Sequence, residues 1–525
     1  MPASKPAKKS RPTAKALHHP NGDGGPQTQA AGEHRTGTTA SRPAWIAAAT
    51  WTAAALVIGA ALYAGATQVS RLVYAARLPA LPDFSGQSQS VVEHVRARDR
   101  DARANPKSPD ALGALCLAYH ADMFYDQAER CYARAEELNP GDWRSTYYRA
   151  LAEGERGNGS LLATAMRRVV EEAPDFSPAW WRLGEAEFKQ ARYERAEEAW
   201  RRAGSLPEPA RTRSSGSPEH VVGSPVSAYA GLGLARLALG RGALEEAREI
   251  LESVTSRAPR FGPAFRLLGD TYARLDRRAE AERAVHRANG LPAYAPYADP
   301  LVDALALESR NSTFLLQQAA ATDLNAYWNE YLTRRALEFD PGNADVVYKL
   351  GFIERTLGRN DEALELFRRY QQMVPGDYQV LGQIGSCLGD LGRFAEAESS
   401  LRRALTRVDD ALTHYNLGFV LTRVGQLPDA VVEYERALAR DPNHLAALTN
   451  LASVLVRQGQ LDRAAREIGR ALEIEPDNAA AHTNLGLVLA QQGHMDQAGR
   501  EFQEALRINP RQREAQDALR TLGRR

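Results

Sequence analysis

Cysteine is scarce in this sequence, with three residues in a chain of 525. Cys116, Cys131 and Cys387 form no CxxC pair, no haem-attachment motif and no zinc-binding spacing, so those kinds of site are excluded. We expect buried or half-buried free thiols, the usual state of isolated cysteines. A disulfide between Cys116 and Cys131 is the alternative if this part of the chain lies in an oxidising compartment.

An excess of either charge is also lacking, because 66 Lys and Arg residues balance 65 Asp and Glu to give a net charge of +1. A nucleic-acid-binding protein normally carries a basic excess, so we predict no nucleic-acid partner. Aromatic residues make up only 7% of the chain, and Ala, Leu, Arg and Glu are abundant. These residue types favour helices, so the composition indicates an all-α protein.

Sequence motifs for catalysis are missing as well. The chain contains no P-loop, no GxSxG, no HExxH and no EF-hand pattern. Most residues after 109 are accounted for by a repeat, described below, which leaves no stretch for a catalytic domain. We therefore predict that the protein is not an enzyme, with no catalytic residues, no cofactor and no bound metal.

The first 70 residues divide into a basic tail and an apolar run. Residues 1–43 hold seven basic and two acidic residues without apolar periodicity, which predicts a disordered tail. Residues 44–70 contain no charged residue, and this run exceeds the roughly 20 residues that a helix needs to cross a bilayer. Trp45, Trp51 and Tyr63 lie towards its ends, where aromatic rings favour the membrane interface. We predict a transmembrane helix that contacts the lipid bilayer.

The fate and the orientation of this span are open to two interpretations. Ala64-Gly65-Ala66 fits the small-x-small pattern of signal cleavage, which would release a secreted protein. The apolar run is longer than a signal peptide requires, so we favour a retained single-pass anchor. Basic residues before the span indicate a cytoplasmic amino terminus. Residues 71–525 are then extracytoplasmic, and in a double-membraned bacterium the protein lies in the inner membrane with this region in the periplasm.

A repeat of about 34 residues fills the rest of the chain. Residues 445–476 and 479–510 share Asn-Leu, Gly, Asp, Ala, Ala-Leu and Pro at the same offsets. We take the Leu of the Asn-Leu pair as the anchor of each unit. Eleven anchors follow in phase, namely Leu115, Arg149, Leu183, Leu234, Leu268, Leu316, Leu350, Ile384, Leu417, Leu451 and Leu485.

Each unit has the pattern of two helices that pack closely. The residue at offset +1 from the anchor is small, offset +13 is usually Ala, and offset +17 is a large apolar residue such as Trp200 or Tyr434. A Gly such as Gly425 supplies the turn between the helices, and a Pro such as Pro442 closes the unit. One helix pair cannot bury its apolar face alone, so the pairs stack.

This pattern resembles the tetratricopeptide repeat (TPR) family over residues 109–510. The resemblance implies a right-handed α-solenoid of about eleven helical hairpins preceded by one transmembrane helix. The second and sixth units depart from it at Arg149 and Gln317 and are candidates for distorted pairs. The expected organisation is 1–43 tail, 44–70 span, 71–108 linker and leading helix, 109–207 units 1–3, 208–226 insertion, 227–289 units 4–5, 290–312 insertion, 313–510 units 6–11, and 511–525 capping helix.

The two insertions differ in composition. Residues 208–226 are rich in Pro, Gly and Ser and predict a flexible loop. Residues 290–312 combine Tyr294, Tyr297 and Pro300, and could fold over the concave face as a lid or form a surface excursion. We expect the surface excursion.

The resemblance also implies a site, because the first helix of each TPR hairpin lines a concave groove that binds peptides. The residue before the anchor is Asn in three consecutive units, similar to the asparagine ladder in the repeat arm of the O-linked N-acetylglucosamine transferase. A carboxamide pairs with any peptide backbone, and the alternative is that it satisfies its own stack. The predicted groove residues are Asn416, Asn450, Asn484, Tyr415, Phe419, Arg423, Ser453, Arg457, Leu487 and Gln491.

The functional hypothesis is a single-pass membrane scaffold that binds protein or peptide partners in this groove. Arg423 and Arg457 favour acidic ligands, whereas solvated arginines are the alternative. Other hypotheses are an accessory factor for cell-envelope biogenesis, as in polysaccharide export or cytochrome maturation, and a secreted protein released by signal cleavage.

Overall fold

The computed structural model describes residues 44–156, 161–209, 225–291, 297, 299–321 and 326–522. The regular secondary structure of these residues is helical, in 26 helices. The chain divides into two compact units, Met1–Gln68 and Val69–Arg525, and helix α1 (Ala44–Ala75) crosses that boundary. The predicted tail, residues 1–43, lies outside the described residues.

Helix α1 is the candidate membrane span. Its part from Trp51 to Ala75 is 25 residues long, and the most apolar window of 18 residues within it has a mean hydropathy of 1.5 and is not buried. Trp51 is 78% exposed and Leu62 is 69% exposed. The length and composition of this helix are sufficient to cross a membrane.

Eleven helical hairpins follow in the predicted phase, each with a first helix (A) and a second helix (B). The leading helix is α2 (Gln89–Ala104), the capping helix is α26 (Arg513–Leu522), and a further helix, α13 (Pro300–Glu308), lies in the second insertion. The A helices are α3 (Pro109–Ala121), α5 (Trp143–Glu155), α7 (Ser177–Lys189), α9 (Val226–Gly240), α11 (Gly262–Arg274), α14 (Ser312–Ala321), α16 (Ala344–Thr356), α18 (Gln379–Asp390), α20 (Ala411–Val424), α22 (Leu445–Arg457) and α24 (Ala479–Gln491). The B helices are α4 (Tyr125–Leu138), α6 (Leu162–Glu172), α8 (Tyr193–Ser205), α10 (Leu244–Arg257), α12 (Arg278–Asn289), α15 (Ala326–Phe339), α17 (Asn360–Met373), α19 (Phe394–Ala404), α21 (Leu427–Arg440), α23 (Leu461–Ile474) and α25 (Met495–Ile508).

Small residues at offset +1 let the two helices of a hairpin approach, as the sequence predicts. A Cβ atom added to Gly184 would lie 2.4 Å from the ring of Trp200, and one added to Gly418 would lie 2.9 Å from the ring of Tyr434. Trp200 and Tyr434 are fully buried. Each large side chain therefore occupies the space that the missing Cβ of its partner leaves, which fixes the packing of the pair.

The turn between A and B helices needs a left-handed residue at offset +8. Gly358, with φ +78°, and Gly425, with φ +86°, meet this need without strain. Among the described turns, three have a residue other than glycine at this offset: Met123 with φ 68°, Ala191 with φ 57° and Asp276 with φ 58°. Those three turns belong to the first, third and fifth hairpins.

The hairpins form two stacks rather than one continuous series. The first stack comprises α2–α12 and the second stack comprises α14–α26. Helix α13 packs against α3, and one hydrophobic core contains Leu115 of the first hairpin together with Leu305, Leu315 and Trp328. The second stack therefore begins beside the first hairpin of the first stack, and this shared core is called the junction core below.

Cys116 and Cys131 form a disulfide between α3 and α4. The expectation of free thiols is wrong for this pair and correct for Cys387, which is free and buried. The two cysteines face each other across the first hairpin with their Cα atoms 5.2 Å apart, which is within the usual range for a disulfide.

The second and sixth hairpins form despite their departures from the repeat. At the second anchor position, Arg149 pairs with Glu129 at 2.8 Å and with Glu136 at 3.4 Å, both on α4. This ion-pair cluster replaces the apolar contact of a leucine anchor. Helix α6 is short, with 11 residues, and so is α14, with 10.

The first insertion leaves the stack intact, because α8 packs directly against α9. The Glu208 carboxylate accepts hydrogen bonds from the backbone N–H groups of Val226 at 2.8 Å and Ser227 at 3.1 Å. Glu208 therefore caps the amino terminus of α9 from across the insertion. The predicted flexible loop falls mostly on residues 210–224, which lie outside the described residues.

Candidate binding grooves

The groove of the first stack is lined by the A helices and contains a segment of the same chain. We call residues 297–311 the return segment, of which all but residue 298 are described. It contacts α9 and α7 first, then α5, then α3 and α2, so it runs opposite to the order of the hairpins. The expectation of a surface excursion for residues 290–312 is therefore wrong for the described part.

The return segment begins in an aromatic contact. The Tyr297 ring lies 4.3 Å from the ring of Trp181 on α7 and 5.7 Å from the ring of Tyr229 on α9, measured between centroids. The Arg182 guanidinium lies 5.3 Å from the centroid of the Tyr297 ring. The ring is held on two sides by aromatic surface and faces a cation, an arrangement that favours a tyrosine.

A buried carboxylate follows. Oδ2 of Asp299 accepts hydrogen bonds from the Tyr147 hydroxyl at 2.6 Å and from Nη2 of Arg182 at 3.2 Å, and Asp299 is only 3% exposed. Burial raises the pKa of Tyr147 well above its ordinary value, which keeps the phenol protonated as a donor. Oδ1 of Asp299 also accepts from the backbone N–H of Leu301 at 3.1 Å, so the carboxylate caps α13.

Helix α13 continues the path along the groove. The Tyr148 hydroxyl donates to the backbone carbonyl of Leu301 at 3.0 Å. Leu305 and Ala306 are each 2% exposed and belong to the junction core. The return segment therefore has one half that contacts side chains of the groove and another half that is part of the apolar junction.

The segment ends in a charged cluster at the junction. His94 on α2 lies 2.8 Å through Nδ1 from Asp122 and 2.9 Å through Nε2 from Glu308, and Arg98 donates to Glu308 at 2.7 Å. Both ring nitrogens face carboxylate oxygens, so both must donate and the ring carries a positive charge. Burial lowers the pKa of His94, but the hydrogen bonds and charges of Asp122 and Glu308 outweigh it and raise that pKa above its ordinary value.

In the second stack, three of the predicted groove residues lie together. Tyr415, Asn416 and Phe419 of α20 line a pocket of about 220 Å³. Arg355 of α16 and Asp390 of α18 line the same pocket, which therefore spans three consecutive A helices.

Arg355 is oriented by its neighbour and retains free donor capacity. Its Nη1 donates to the hydroxyl of Ser386 at 2.8 Å. Its Nε atom is buried and has no hydrogen-bond partner among the described residues. This N–H group is therefore an unsatisfied donor buried in the wall of the pocket.

The three asparagines differ in their surroundings. Asn416 lines the pocket, Asn450 donates through Nδ2 to the Tyr415 hydroxyl at 3.3 Å, and Asn484 is exposed. Asn450 thus bonds to the neighbouring hairpin, as expected if these asparagines satisfy their own stack. Its carboxamide oxygen can still accept a hydrogen bond from a ligand.

The remaining predicted residues lie on both sides of this centre. Arg423 is exposed, with its guanidinium 6.0 Å from the ring centroid of Phe419, and Ser453 and Arg457 are exposed on α22. Leu487 and Gln491 line a separate pocket of about 400 Å³ bounded by α24, α25 and α26. Leu487 and Gln491 therefore lie in a different pocket from Tyr415, Asn416 and Phe419.

Sequence reasoning missed several residues of the grooves. Tyr148 and Arg182 occupy offset −1, the same register position as the three asparagines, and both contact the return segment. Asp390 occupies offset +6, the position of Arg423 and Arg457. Comparing residue types at one offset across all units would have found them.

Comparisons with known proteins agree with this architecture. A family model described as tetratricopeptide repeat matches residues 163–207, 325–378 and 449–513, and other models with that description match residues 228–253, 378–407 and 409–477. The curated Tetratricopeptide repeat protein 8 of Caenorhabditis elegans is 26% identical over 222 residues, which are 41% of this chain. The matched part spans only 40% of that relative's length.

Two of the solved structures that match this chain do so with TM-scores below 0.5. The structure of YrrB, a TPR protein with an unusual peptide-binding site, matches with 21% identity and a TM-score of 0.31, over 35% of this chain and 96% of its own. The structure of the APC/C hetero-tetramer Cut9–Hcn1 matches with 14% identity and a TM-score of 0.38, over 82% of this chain and 95% of its own. The helical hairpins are in phase, and family models of the tetratricopeptide repeat match several of them between residues 163 and 513, so this chain belongs to the tetratricopeptide repeat family.

Proposed function

We propose that this protein is a membrane-anchored interaction scaffold whose second-stack groove binds carboxylate-bearing segments of partner proteins. The observation that carries the proposal is the first stack, where residues at offset −1 contact an acidic segment of the chain itself. Asn416, Asn450 and Asn484 hold the same register position in the second stack. Repeats that share one backbone geometry present equivalent positions to the same face.

The charges along the second groove favour an acidic ligand. Arg355, Arg423 and Arg457 contribute three guanidinium groups on α16, α20 and α22, against the single carboxylate of Asp390 in the pocket. Guanidinium groups bind carboxylates through directed hydrogen bonds, and carboxamides supply backbone contacts that are independent of ligand sequence. In this proposal the asparagines provide affinity for the peptide backbone and the arginines provide the preference for acids.

Membrane anchorage is supported by helix α1. Its apolar side chains are exposed within the structure, which argues against a buried core helix. The helix runs without a break through Ala64, Gly65 and Ala66 to Ala75, well beyond the apolar length of a signal peptide. We propose that α1 is retained as a single span.

An extracytoplasmic position for the repeats is supported by the disulfide. Cys116 and Cys131 are both fully buried and bonded to each other, and such bonds persist mainly in oxidising compartments. This agrees with the excess of basic residues before α1. In a double-membraned bacterium the repeats would occupy the periplasm.

A display library of short random peptides, panned on the full-length chain in lipid nanodiscs, tests the groove. We expect enrichment of Asp- and Glu-containing peptides and loss of their binding in the variant N416A/N450A/N484A. The matched control replaces Arg466, Glu473 and Gln497, exposed residues of the B helices α23 and α25, by Ala. Unchanged binding by the asparagine variant, or equal losses in both variants, would remove the groove assignment.

Topology is tested separately with a reporter fused after Arg525 that is active only outside the cytoplasm. We expect activity from the intact chain, and a single membrane-bound species whose amino terminus retains residues 1–43. A signal from a cytoplasmic reporter would overturn the orientation, and release of the repeats into the soluble fraction would overturn the anchor.

A further inference from the structure

We propose that the first-stack groove is a second peptide-binding site, specific for a tyrosine followed by a helix-capping aspartate, and that the return segment is its displaceable resident ligand. The inference shares the register argument of the proposed function but concerns different hairpins. It therefore stands or fails independently of the asparagines of the second stack.

The contacts of the return segment resemble those of a bound peptide. Tyr297 sits between the rings of Trp181 and Tyr229, and Asp299 meets Tyr147 and Arg182. An aromatic anchor and a carboxylate held by two donors are specific contacts, whereas a core helix would need only apolar burial.

Hydrogen bonding to the main chain adds a contact that does not depend on sequence. The Tyr148 hydroxyl donates to the carbonyl of Leu301 at 3.0 Å. Asp299 also caps α13 through Leu301 and Val302, so the aspartate both binds the groove and initiates the helix. The ligand class is therefore a peptide that begins a helix at an acidic residue.

The two halves of the return segment are attached differently, which limits what can be displaced. Residues 305–311 are fixed, because Leu305 and Ala306 belong to the junction core and Arg335 donates to the carbonyl of Leu307 at 2.7 Å. Tyr297, Asp299 and Leu301 contact the A helices of the second to fourth hairpins, and of these three Leu301 also packs against the junction core. We assign the displaceable part to this first half.

Any replacement ligand must bring an acid of its own. Without Asp299, the hydroxyl of fully buried Tyr147 and the mostly buried Arg182 lose a charged acceptor, and leaving such donors unsatisfied is costly. A neutral peptide cannot offset that loss. The groove therefore selects acidic segments even when the resident one has left.

The resident segment competes with any external peptide, because it is tethered to its own groove. A short tether gives the resident segment an effective concentration at its groove on the order of millimolar. An external copy of residues 297–311 should bind the intact chain only weakly. Weakening the resident contacts should reveal the site.

The test uses a fluorescent synthetic peptide with the sequence of residues 297–311 and the full-length chain in nanodiscs. We expect the peptide to bind the variant Y297A/D299A at least about tenfold more tightly than the intact chain, which corresponds to roughly 1.4 kcal/mol. Adding Arg182→Ala to that variant should abolish binding. A peptide in which the aspartate at position 299 is replaced by asparagine is the matched control and should bind weakly to all variants.

The proposal would be overturned by equal binding to the intact and Y297A/D299A chains, or by no binding to a Y297A/D299A chain that keeps its helical circular dichroism. If that variant loses helical structure, excess peptide should restore it, and failure to do so also counts against the proposal. In the intact chain, excess peptide should accelerate hydrogen exchange at the Leu301 and Val302 amides, and no change there contradicts displacement.

The asparagine variant separates this site from the one in the second stack. N416A/N450A/N484A should leave peptide binding in the Y297A/D299A background unchanged. Loss of binding there would place the peptide in the second groove and contradict the assignment to the first.

Discussion

The two stacks are built from the same kind of hairpin but have different residues at the position that faces the groove. In the first stack, Tyr148 and Arg182 at offset −1 contact the return segment, whereas in the second stack Asn416, Asn450 and Asn484 occupy that offset. Packing between helices depends on offsets +1 and +17, which are alike in both stacks. The comparison shows that the residues forming the solenoid and the residues facing its groove vary independently.

The stacks also differ in how their hairpins are stabilised. The first contains the disulfide and three turns with a non-glycine residue at positive φ, while the turns at Gly358, Gly392, Gly425, Gly459 and Gly493 in the second all use glycine. The first stack also has the contacts of the return segment with its A helices. The second relies on the regularity of its repeat.

The largest expected effect comes from removing the aromatic side chain that joins two hairpins of the first stack. A Cβ atom at Gly184 or at Gly233 would lie within 2.6 Å of Trp200, so this ring packs between the third and fourth hairpins. We expect Trp200→Ala to lower the free energy of unfolding by about 3–5 kcal/mol. Urea denaturation followed by circular dichroism measures the loss.

Phe502 is the control for that prediction, because it packs against Gly486 within a single hairpin of the second stack. Phe502→Ala should give a similar local loss without affecting the first stack. Hydrogen exchange resolves the two regions. Trp200→Ala should raise exchange in α7–α9, and equal effects along the whole chain would contradict the separation into stacks.

Reducing the disulfide should weaken the first stack and the junction core, to which both cysteines belong, but not the far end of the second stack. The bond closes a loop with a sequence separation of 15 between Cys116 and Cys131, and closing a loop of that size removes chain entropy from the unfolded state worth about 3 kcal/mol. We expect reductant, or the variant C116A/C131A, to lower the melting temperature of the first stack. Thermal unfolding monitored by hydrogen exchange should leave α20–α25 unchanged, and an equal shift there would contradict the prediction.

The junction should lose stability as the pH rises. The pKa of His94 is raised above its ordinary value of 6.5, so its contribution is fully present below that value and is lost as the pH rises through the folded-state pKa. The groups facing His94 are Asp122 and Glu308, and Arg98 shares Glu308. The protonated ring therefore holds α2 to the end of the return segment, and its deprotonation removes one of the two donors that the carboxylates need.

The His94→Gln variant isolates this effect, because it keeps a polar side chain without the charge. The difference in melting temperature between the intact chain and the variant should be greatest in mild acid and should shrink towards alkaline pH. All other pH-dependent groups are common to both chains, so their contributions cancel in the difference. A difference that grows with pH would contradict the assigned protonation.

The smallest expected effect concerns the turns. Ala191 has φ 57°, a conformation that disfavours residues with a side chain. We expect Ala191→Gly to stabilise the first stack by up to about 1 kcal/mol and Gly425→Ala to destabilise the second by a similar amount. Chemical denaturation of both variants checks the prediction, and stabilisation by Gly425→Ala would show that the two turns are not equivalent.

The eleven hairpins could be predicted because their determinants lie within one repeat. Gly418 and Tyr434, for example, are close in the chain and complementary in size. The return segment could not be predicted in this way, since Asp299 meets Tyr147 from 152 residues away and the segment belongs to no repeat. The groove residues were partly predictable. The position of a residue within the repeat predicts the helix face on which it lies, but not which segment of the chain packs on that face.

The return segment also limits how many repeats the first stack can contain. The stretch between Asn289 at the end of α12 and the buried Asp299 is short, yet it must reach from the fifth hairpin back to the second. Duplicating one repeat inside the first stack would lengthen the distance that this stretch has to cross. A duplication inside the second stack meets no such return path, so change in repeat number during evolution should be tolerated there and resisted in the first.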